Sequence, residues 1–396
     1  MDIVILCNFC GKLTTTDNDR FSYLASKLAR YGDVELIASD FSHLDKAPRR
    51  LENSDRLYKI TLLHEPGYPK NVCVSRFASH RAWGKNVAKY LAQRKKPDVI
   101  YCAVPSITAP LAAAKYCREN GVRFVIDVQD LWPEAFQMVM PIPLVGKILF
   151  APWKYQVDKI YRAADEIVAV SRTYADRALS VNHKCEDAKV VYLGTDLETF
   201  DTYAAGDAPF KKEKDKLYLG YCGTLGASYD IPCVLNALEL LKNRGAKTPC
   251  FVVLGDGPQK ETFERMAKER GLDVLFTGRL PYNEMCRYLS ACDMLVNPIV
   301  KGAAQSIINK HADYAAAGKA VINTQECAEY RELIKDYGCG INCRVGDAGE
   351  VAEAIRELAA QEKSRLAMGQ NARRMAEEIF DRHKSYAGIA ELVERD

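Results

Sequence analysis

A few polar residues in one short stretch have types and spacings that would let them bind a ligand together. Gln305, Asn309 and Asp313 recur every four residues, and a lysine follows the middle one. On a helix such residues share one face, which at 1.5 Å per residue would be about 12 Å long. Amide, carboxylate and ammonium groups over that length could span a sugar, a diphosphate and a ribose. The plainer alternative is the solvated polar face of an ordinary surface helix.

The neighbouring residues predict the elements that would position this face. The apolar run from Ala291 to Pro298 predicts a buried strand, and residues 321–323 predict the next one. Between them we predict a helix that begins near Gln305 and ends at Gly318. In a βαβ unit the helix N-terminus directs free N–H groups to the carboxyl ends of the strands, where a phosphate would bind. Lys310 would add a positive charge there.

Glycine-containing turns follow three predicted strands ahead of this helix. They are Gly223-Thr224-Leu225-Gly226, residues 254–258 with Gly257, and residues 277–281 with Arg279 and Leu280. One such turn is a weak signal, because many parallel strands end in one. Three in succession predict a single ligand-facing rim, since the carboxyl ends of parallel strands lie at one edge of a sheet.

The first half of the chain alternates apolar runs with helical patterns, which predicts a parallel sheet covered by helices. Its first turn, residues 10–17, contains Gly11 and Lys12 and leads into a helix that begins near Arg20. We expect this turn to face a ligand, with Lys12 and Arg20 contacting a phosphate; ordinary surface charge is the alternative. Asp17-Asn18-Asp19 is interpreted as a helix cap rather than a metal site.

A second polar group follows the strand predicted at residues 123–128. Gln129, Asp130 and Glu134 lie beside a Trp in the sequence. Carboxylates and an aromatic ring at the carboxyl end of a strand suit the hydroxyls of a sugar. We predict Asp130 as an acid/base or hydroxyl-orienting group, with capping of the next helix as the alternative. Glu134 could take either role.

Length, apolar runs and cysteines limit the class of protein. A chain of 396 residues, 48% hydrophobic and 27% charged, predicts two globular domains. The polar stretch 195–216 predicts the linker. Because the N-terminus reads as a strand and no run of 18 apolar residues exists, we expect a cytoplasmic protein with mostly reduced cysteines. Neither Cys7 with Cys10 nor Cys339 with Cys343 has neighbours that would complete a zinc site, so no metal is predicted.

Positive charge is concentrated in residues 46–96, which hold 13 Lys or Arg and 3 Asp or Glu in a chain of net charge +3. Arg81, Lys85 and Lys89 would share one helix face, where like charges repel. An anionic partner such as a lipid headgroup or lipid diphosphate would explain them. Nucleic acid is disfavoured, because the rest of the chain is acidic and lacks interleaved aromatic motifs.

Aromatic residues near this basic segment could lie at a membrane surface. Phe77 and Trp83 fall on the same predicted helix as the basic face. Residues 141–155 are rich in aromatic, proline and apolar residues and include two lysines, a composition typical of interfacial anchors. Packing in the core is the alternative for both.

The stretch from Gln305 onward resembles the donor-site motif of glycosyltransferase family 4. In that motif a Glu, seven residues and a second Glu precede small residues, Gly-Lys and an apolar strand; Gln305 and Asp313 stand at the two Glu positions. Asn309-Lys310 and the AspLeuTrpPro that begins at Asp130 resemble the bacterial polysaccharide branch of the family. The glycine turns are similar too, so the resemblance covers most of both domains.

The resemblance implies an α/β protein of the GT-B fold, with two facing Rossmann-like, doubly wound parallel-sheet domains and an interdomain cleft. Residues 1–194 would bind the acceptor, and residues 217–379 would bind the nucleotide sugar. The terminal helix, about 380–396, would pack back on the first domain.

The family's residue roles transfer to matching positions. Gln305 would contact the donor sugar, Asp313 would hold the ribose hydroxyls, and Lys310 would stabilise the leaving diphosphate. The expected donor contacts are Gly223, Thr224, Gly257, Arg279, Leu280, Asn309, Lys310 and Asp313. The expected acceptor contacts are Gly11, Lys12, Arg20, Gln129 and Glu134, with Asp130 as the catalytic group on that side.

Several positions depart from the family pattern. Gln305 lacks the charge of Glu, Asp313 is one methylene shorter, and Gln129 replaces a His. AlaSerTyrAspIlePro follows Gly226 where many members carry an Arg and a Lys, so Lys310 would neutralise more of the diphosphate.

The expected activity is therefore that of a retaining, metal-independent glycosyltransferase. It would move a sugar from a UDP- or GDP-sugar, with no further cofactor, to a lipid-diphosphate-linked saccharide in surface polysaccharide assembly. The protein would bind the anionic inner face of the cell membrane peripherally. Two alternatives remain, a nucleotide-sugar epimerase of the same fold and a catalytically inactive nucleotide-sugar-binding homologue.

Overall fold

The computed structural model describes residues 1–11, 13, 19–51, 55–71, 73–135, 145–303 and 306–394, with residues 145–149 described by their backbone alone. These residues form two compact units. Unit 1 comprises Met1–Tyr192 and the segment from Tyr386 onward, and unit 2 comprises Leu193–Ser385.

Unit 1 contains a seven-stranded parallel sheet in the order β5-β2-β1-β6-β7-β8-β9 and a separate antiparallel pair, β3-β4. Its strands are β1 (Asp2–Cys7), β2 (Asp33–Ser39), β3 (Phe41–Ser42), β4 (Ala47–Pro48), β5 (Lys59–Leu63), β6 (Val99–Val104), β7 (Arg123–Val128), β8 (Glu166–Ala169) and β9 (Lys189–Val190). Its described helices are α1 (Arg20–Leu28), α2 (Val74–Gln93), α3 (Thr108–Asn120), α4 (Val145–Ala163), α5 (Arg172–Leu179) and, at the end of the chain, α15 (Ala387–Glu394).

Unit 2 contains a six-stranded parallel sheet in the order β12-β11-β10-β13-β14-β15. Its strands are β10 (Tyr218–Cys222), β11 (Cys250–Leu254), β12 (Val274–Gly278), β13 (Met294–Asn297), β14 (Ala320–Asn323) and β15 (Gly340–Asn342). Its described helices are α6 (Leu197–Ala204), α7 (Ile231–Asn243), α8 (Lys260–Glu269), α9 (Tyr282–Ala291), α10 (Asn309–Ala316), α11 (Ala328–Tyr337), α12 (Ala348–Ala360), α13 (Glu362–Met375) and α14 (Arg382–Ser385), with a π-helical turn at Ala376–Phe380.

Both sheets are apolar along their central strands because helices cover both faces. Every residue of β6 and of β11 is buried. In sequence order, each sheet runs from its third strand through its second and first to its fourth, which is the doubly wound Rossmann order. The predicted α/β fold class is thereby confirmed. The strand order reverses beside β1 and β10, where such folds bind ligands above the carboxyl ends of the strands.

Local helix signals agree with the structure at α1 and differ at α6. The side chain of Asp19 accepts hydrogen bonds from the N–H groups of Phe21 and Ser22, as expected for a helix cap; Asp17 and Asn18 lie outside the described residues. The segment 195–216, predicted as a linker, contains helix α6, which buries Leu197 and Phe200 and is capped by Asp196. Two apolar residues in one turn were too short a pattern to predict this helix.

The structure describes the aromatic residues of α2 fully but only part of the segment 141–155. Trp83 is 1% exposed, so it belongs to the core, and Phe77 is partly buried against the ring of Trp153, with 4.6 Å between centroids. Within 141–155, residues 141–144 lie outside the described chain, and α4 begins at Val145. Among the described helices, none is both long and apolar enough to cross a bilayer.

Candidate active site

The three glycine turns of unit 2 are joined backbone to backbone. Gly223 N–H donates to the Leu254 carbonyl at 2.9 Å, and Gly255 N–H donates to the Gly278 carbonyl at 2.9 Å. Gly255 has a φ of +154°, and a Cβ atom there would lie 1.9 Å from the Gly223 carbonyl oxygen. Only glycine allows this approach, so the structure brings the three turns into one rim at the carboxyl ends of β10, β11 and β12.

The other predicted donor contacts on the rim vary in exposure. Gly257 packs against Leu225, whose carbonyl oxygen would lie 2.5 Å from a Cβ at position 257. Thr224 is exposed, and its carbonyl accepts a hydrogen bond from the Tyr221 hydroxyl at 3.0 Å. After β12, Arg279 is exposed, whereas Leu280 packs on the apolar cluster below the sheet. These backbone groups and side chains could line a nucleotide.

Lys310 points its ammonium at this rim. The side chain is buried, and its Nζ lies 4.4 Å from the ring centre of Tyr221 and 4.1 Å from that of Tyr229. A Cβ on Gly223 would lie 3.0 Å from the same Nζ. Among the described residues the ammonium has no hydrogen-bond partner. Burial lowers the pKa of Lys310 to about 7, and an anion bound at the rim would stabilise its charged form.

The helix that carries Lys310 begins later than predicted. Helix α10 begins at Asn309, and Ile308 is extended, with φ −109° and ψ 160°. The predicted start of this helix near Gln305 is therefore wrong. Just before the helix, the N–H of Ile308 donates to a side chain, His311 Nδ1, at 3.2 Å. Gln305 itself lies outside the described residues.

A buried polar network anchors the start of α10, and the sequence analysis missed it. Asn297 at the end of β13 lies 3.2 Å from His311 Nε2 and donates to Asn323 Oδ1 at 2.9 Å. Gln325 donates to the Ser306 carbonyl at 2.8 Å. Burial keeps the pKa of His311 well below its usual value, so the ring is neutral. Polar residues ending two adjacent apolar strands were the available signal.

Asp313 and Asn309 lie on the same helix in different surroundings. Asn309 is exposed in the first turn. Asp313 Oδ1 accepts a hydrogen bond from the Tyr282 hydroxyl at 2.9 Å, and that hydroxyl also lies 2.7 Å from Thr195 Oγ1. Burial raises the pKa of Asp313. The carboxylate is thus already held by a tyrosine.

In unit 1, Asp130 lies just beyond the carboxyl end of β7. Its carboxylate accepts hydrogen bonds from Leu131 N–H at 2.9 Å and from Trp132 Nε1 at 3.1 Å. Burial raises the pKa of Asp130. The carboxylate therefore closes the turn after β7 and is held in a fixed orientation, which is compatible with orienting a ligand hydroxyl.

Arg20 is not placed to contact a ligand, which corrects its expected role. It is 4% exposed, and its Nε and Nη2 bond to the carboxylate of Asp127 at 2.8 and 3.2 Å. Its Nη1 donates to the carbonyls of Val191 and Tyr192 and to the Tyr386 hydroxyl. A carboxylate inside β7 needs a compensating charge, and Arg20 supplies it.

The other predicted acceptor contacts that the structure describes also bond within unit 1. Gln129 donates to Asp127 Oδ2 at 3.1 Å. Glu134 accepts from Arg177 Nε at 2.7 Å. Gly11 N–H donates to Asp19 Oδ1 at 2.9 Å. Lys12 lies outside the described residues.

The basic segment divides into structural and exposed charges. Arg94 pairs with Asp2 and Glu35, and Arg49 is buried. In contrast, the face of α2 formed by Arg81, Lys85 and Lys89 is exposed. At one end of the same helix Val74 is 86% exposed.

Comparison with known proteins agrees with this architecture. Residues 21–199 match the family model described as Glycosyltransferase Family 4, and residues 206–375 match that described as Glycosyl transferases group 1. A crystal structure of Anabaena Alr3699/HepE in complex with UDP superposes with a TM-score of 0.69 at 16% identity, covering 99% of each chain. The fold is that of the GT-B glycosyltransferases. The chain belongs to glycosyltransferase family 4.

Two curated relatives align over a smaller part of the chain. The uncharacterized glycosyltransferase MJ1069 of Methanocaldococcus jannaschii is 23% identical over 60% of this chain and 60% of its own. The amylovoran biosynthesis glycosyltransferase AmsK of Erwinia amylovora is 22% identical over 61% of this chain and 59% of its own. The chain thus aligns with about three fifths of the length of these relatives.

Proposed function

We propose that the protein transfers a sugar, with retention of configuration, from a UDP-sugar to a saccharide acceptor. The observation that carries the proposal is the buried ammonium of Lys310 beside the glycine rim of unit 2, which has no hydrogen-bond partner among the described residues. The HepE protein, which shares the fold, has been crystallised with UDP and with UDP-glucose. A GDP-sugar would present the same diphosphate to this rim.

The proposed reaction needs little from side-chain bases. The bond between the anomeric carbon and the diphosphate oxygen breaks, and the acceptor oxygen bonds to the same face of that carbon. The acceptor proton passes to the departing diphosphate. Lys310 and the rim N–H groups would stabilise the charge that develops there, which is electrostatic preorganisation and requires no metal. Asp130 would orient the acceptor hydroxyl.

We further propose a lipid-linked acceptor in surface polysaccharide assembly and peripheral binding to the membrane. The exposed cations Arg81, Lys85 and Lys89, together with exposed Val74, support binding to anionic lipid. AmsK is named for biosynthesis of the polysaccharide amylovoran. Changing all three cations to Gln should abolish flotation with anionic vesicles, while the same change at Lys247, Lys268 and Lys335 of unit 2 should not.

A thermal-shift panel tests the donor site. A ligand at 100 times its dissociation constant stabilises a protein by about 2.7 kcal/mol. We expect a UDP-sugar to stabilise the wild type, and Lys310→Met to lose most of that shift. Lys247→Met, which removes an exposed lysine of the same unit, should respond like the wild type. Equal shifts in all three proteins would refute the site.

Product analysis separates the two alternatives. Transfer to a saccharide acceptor supports the proposal. Conversion of the donor to an isomer without an acceptor would indicate an epimerase instead. Donor binding without turnover under either condition would indicate an inactive homologue.

A further inference from the structure

A buried arginine in unit 1 has no role in the chemistry proposed above. Arg76, in the first turn of α2, is 8% exposed. Its guanidinium carbon lies 4.7 Å from the ring centre of Trp132 and 5.5 Å from those of Phe9 and Tyr68. We call Arg76 and these three rings the arginine box.

The positive charge of the arginine box has no ion pair among the residues that the structure describes. Nη1 of Arg76 donates to the carbonyl of Asn71 at 2.7 Å, and within the described chain Nε has no hydrogen-bond partner. No carboxylate among the described residues forms a salt bridge with it. Burying a charge without a partner costs free energy. A protein that keeps such a charge therefore usually has a bound group that compensates it.

Other polar atoms near the box are also unsatisfied. His80 stacks on Trp132 with 5.9 Å between ring centres. Its Nε2 and the Oδ1 of Asn8, next to Phe9 in the chain, are buried without hydrogen-bond partners among the described residues. Asn8 and His80 both border Glu65, which accepts from Asn8 Nδ2 at 3.0 Å. Unsatisfied groups gathered in one place indicate a binding site.

Two carboxylates near the box form hydrogen bonds to groups other than Arg76. Glu65 accepts hydrogen bonds from Asn8 and from Ser79. Asp130 uses one oxygen for Leu131 N–H and the other for Trp132 Nε1. Neither forms an ion pair with Arg76 within the described chain, and burial still lowers the pKa of Arg76 even though the nearby Tyr68 and Asp130 partly offset it.

The box also lies at the edge of unit 1 where a substrate would bind. Phe9 follows β1, Tyr68 follows β5 and Trp132 follows β7, so all three rings come from loops at the carboxyl ends of parallel strands. Trp132 donates directly to Asp130. An anionic group held by Arg76 would thus lie beside the carboxylate that we expect to orient the acceptor hydroxyl.

We infer that the arginine box binds an oxyanion carried by the acceptor, a phosphate or a carboxylate. The planar guanidinium matches both groups because it can donate two parallel hydrogen bonds. The inference rests on the proposed function, since it takes unit 1 as the acceptor-binding half. Arg76 thereby replaces Arg20, which is paired with Asp127 of β7, as the expected anion contact of this unit.

Direct titration tests the inference. Full-length protein is saturated with UDP to fill the donor site and titrated with inorganic pyrophosphate or with glucuronate, which represent the two sources of the oxyanion. Binding is followed by calorimetry and by fluorescence, because an anion on Arg76 should change the emission of Trp132. We expect at least one probe to bind, and Arg76→Gln to weaken it tenfold or more.

Matched variants make the result specific. Arg76→Lys keeps the charge without the planar fork and should bind more weakly than wild type but better than Arg76→Gln. Arg118→Gln removes an exposed arginine charge from helix α3 of the same unit and should bind within twofold of wild type. If Arg76→Gln does not fold, two measurements still decide the outcome. One is the affinity of Arg76→Lys, and the other is the fluorescence change of the wild type, which should be absent in Trp132→Phe.

The outcomes separate this inference from the proposed function. Binding that depends on Arg76 supports it even if no UDP-sugar stabilises the protein. Binding of neither probe, or equal binding by wild type and Arg76→Gln, overturns it even if the donor site is active.

Discussion

Arg20 of unit 1 and Lys310 of unit 2 are both buried cations in the first turn of a helix that packs in a doubly wound unit, yet they have opposite surroundings. Arg20 bonds to a carboxylate, two carbonyls and a hydroxyl. Lys310 has two aromatic rings for neighbours and no hydrogen-bond partner in the described chain. Burial of a cation alone therefore does not mark a ligand site. The absence of a compensating carboxylate is the informative feature.

The largest expected effect is on the paired cation. Arg20→Met would leave Asp127 buried without its partner and should lower the free energy of unfolding by about 3–5 kcal/mol. Urea denaturation followed by circular dichroism measures it. A loss below about 1 kcal/mol would show that the pair of Arg20 and Asp127 contributes no more to stability than a surface ion pair.

The unpartnered cation should matter chiefly for the reaction. Lys310→Met should lower kcat by about 10²–10³-fold, the usual cost of losing one group that stabilises developing charge. Steady-state assays with a UDP-sugar measure it. An unchanged kcat in this variant would show that Lys310 does not contact the diphosphate in the reaction.

The glycine rim should be sensitive to a single methyl group. In Gly255→Ala the new Cβ would overlap the Gly223 carbonyl, and we expect a loss of about 2 kcal/mol of stability together with weaker donor binding. Gly245→Ala is the control, because Gly245 also has a positive φ but a Cβ there would have no described atom within 4 Å. Equal effects of the two changes would mean that φ, rather than the contact between turns, is the constraint.

Stability should respond to the two cations with opposite sign. Lys310→Met removes an uncompensated charge and should raise the free energy of unfolding by about 1–2 kcal/mol at pH 6. Because the pKa of Lys310 is lowered to about 7, the folded protein loses this proton near pH 7, whereas the unfolded chain keeps it until about 10.5. The wild type should therefore gain stability from this group between those values, and the advantage of the variant should shrink by pH 9.

The smallest expected effect is on the pH dependence of donor affinity. A bound diphosphate raises the pKa of Lys310, so above pH 7 binding must take up a proton. The dissociation constant of UDP-glucose should rise by up to about tenfold per pH unit there. Calorimetry in buffers of different ionisation enthalpy detects this uptake. The slope should vanish in Lys310→Met; a slope that persists would belong to another group.

The sequence predicted what depends on local pattern and strand order. Apolar runs marked the strands of both sheets, and glycines at 223, 255 and 278 marked the turns that the structure joins. The start of α10 was missed because the ring of His311, inside the helix, accepts the hydrogen bond of Ile308 N–H just before it. A spacing of four residues cannot show that the chain is still extended at Ile308.

The arginine box could not be predicted at all. Phe9, Tyr68 and Trp132 come from loops separated by dozens of residues, and each alone reads as an ordinary core aromatic. Nothing in the sequence around Arg20 and Arg76 distinguishes a paired arginine from an unpaired one. Only the folded chain shows that one meets Asp127 and the other meets aromatic rings.

The chain enters and leaves unit 2 at adjoining points. Thr195 N–H donates to the Phe380 carbonyl at 2.9 Å, and Arg382 N–H donates to the Thr195 carbonyl at 3.0 Å. Unit 2 is thus an insertion whose two ends are already tied together, and unit 1 resumes at Tyr386. Such an insertion can be exchanged as a cassette: replacing 193–385 by the equivalent segment of a relative would create two junctions side by side and leave every strand of the first sheet intact.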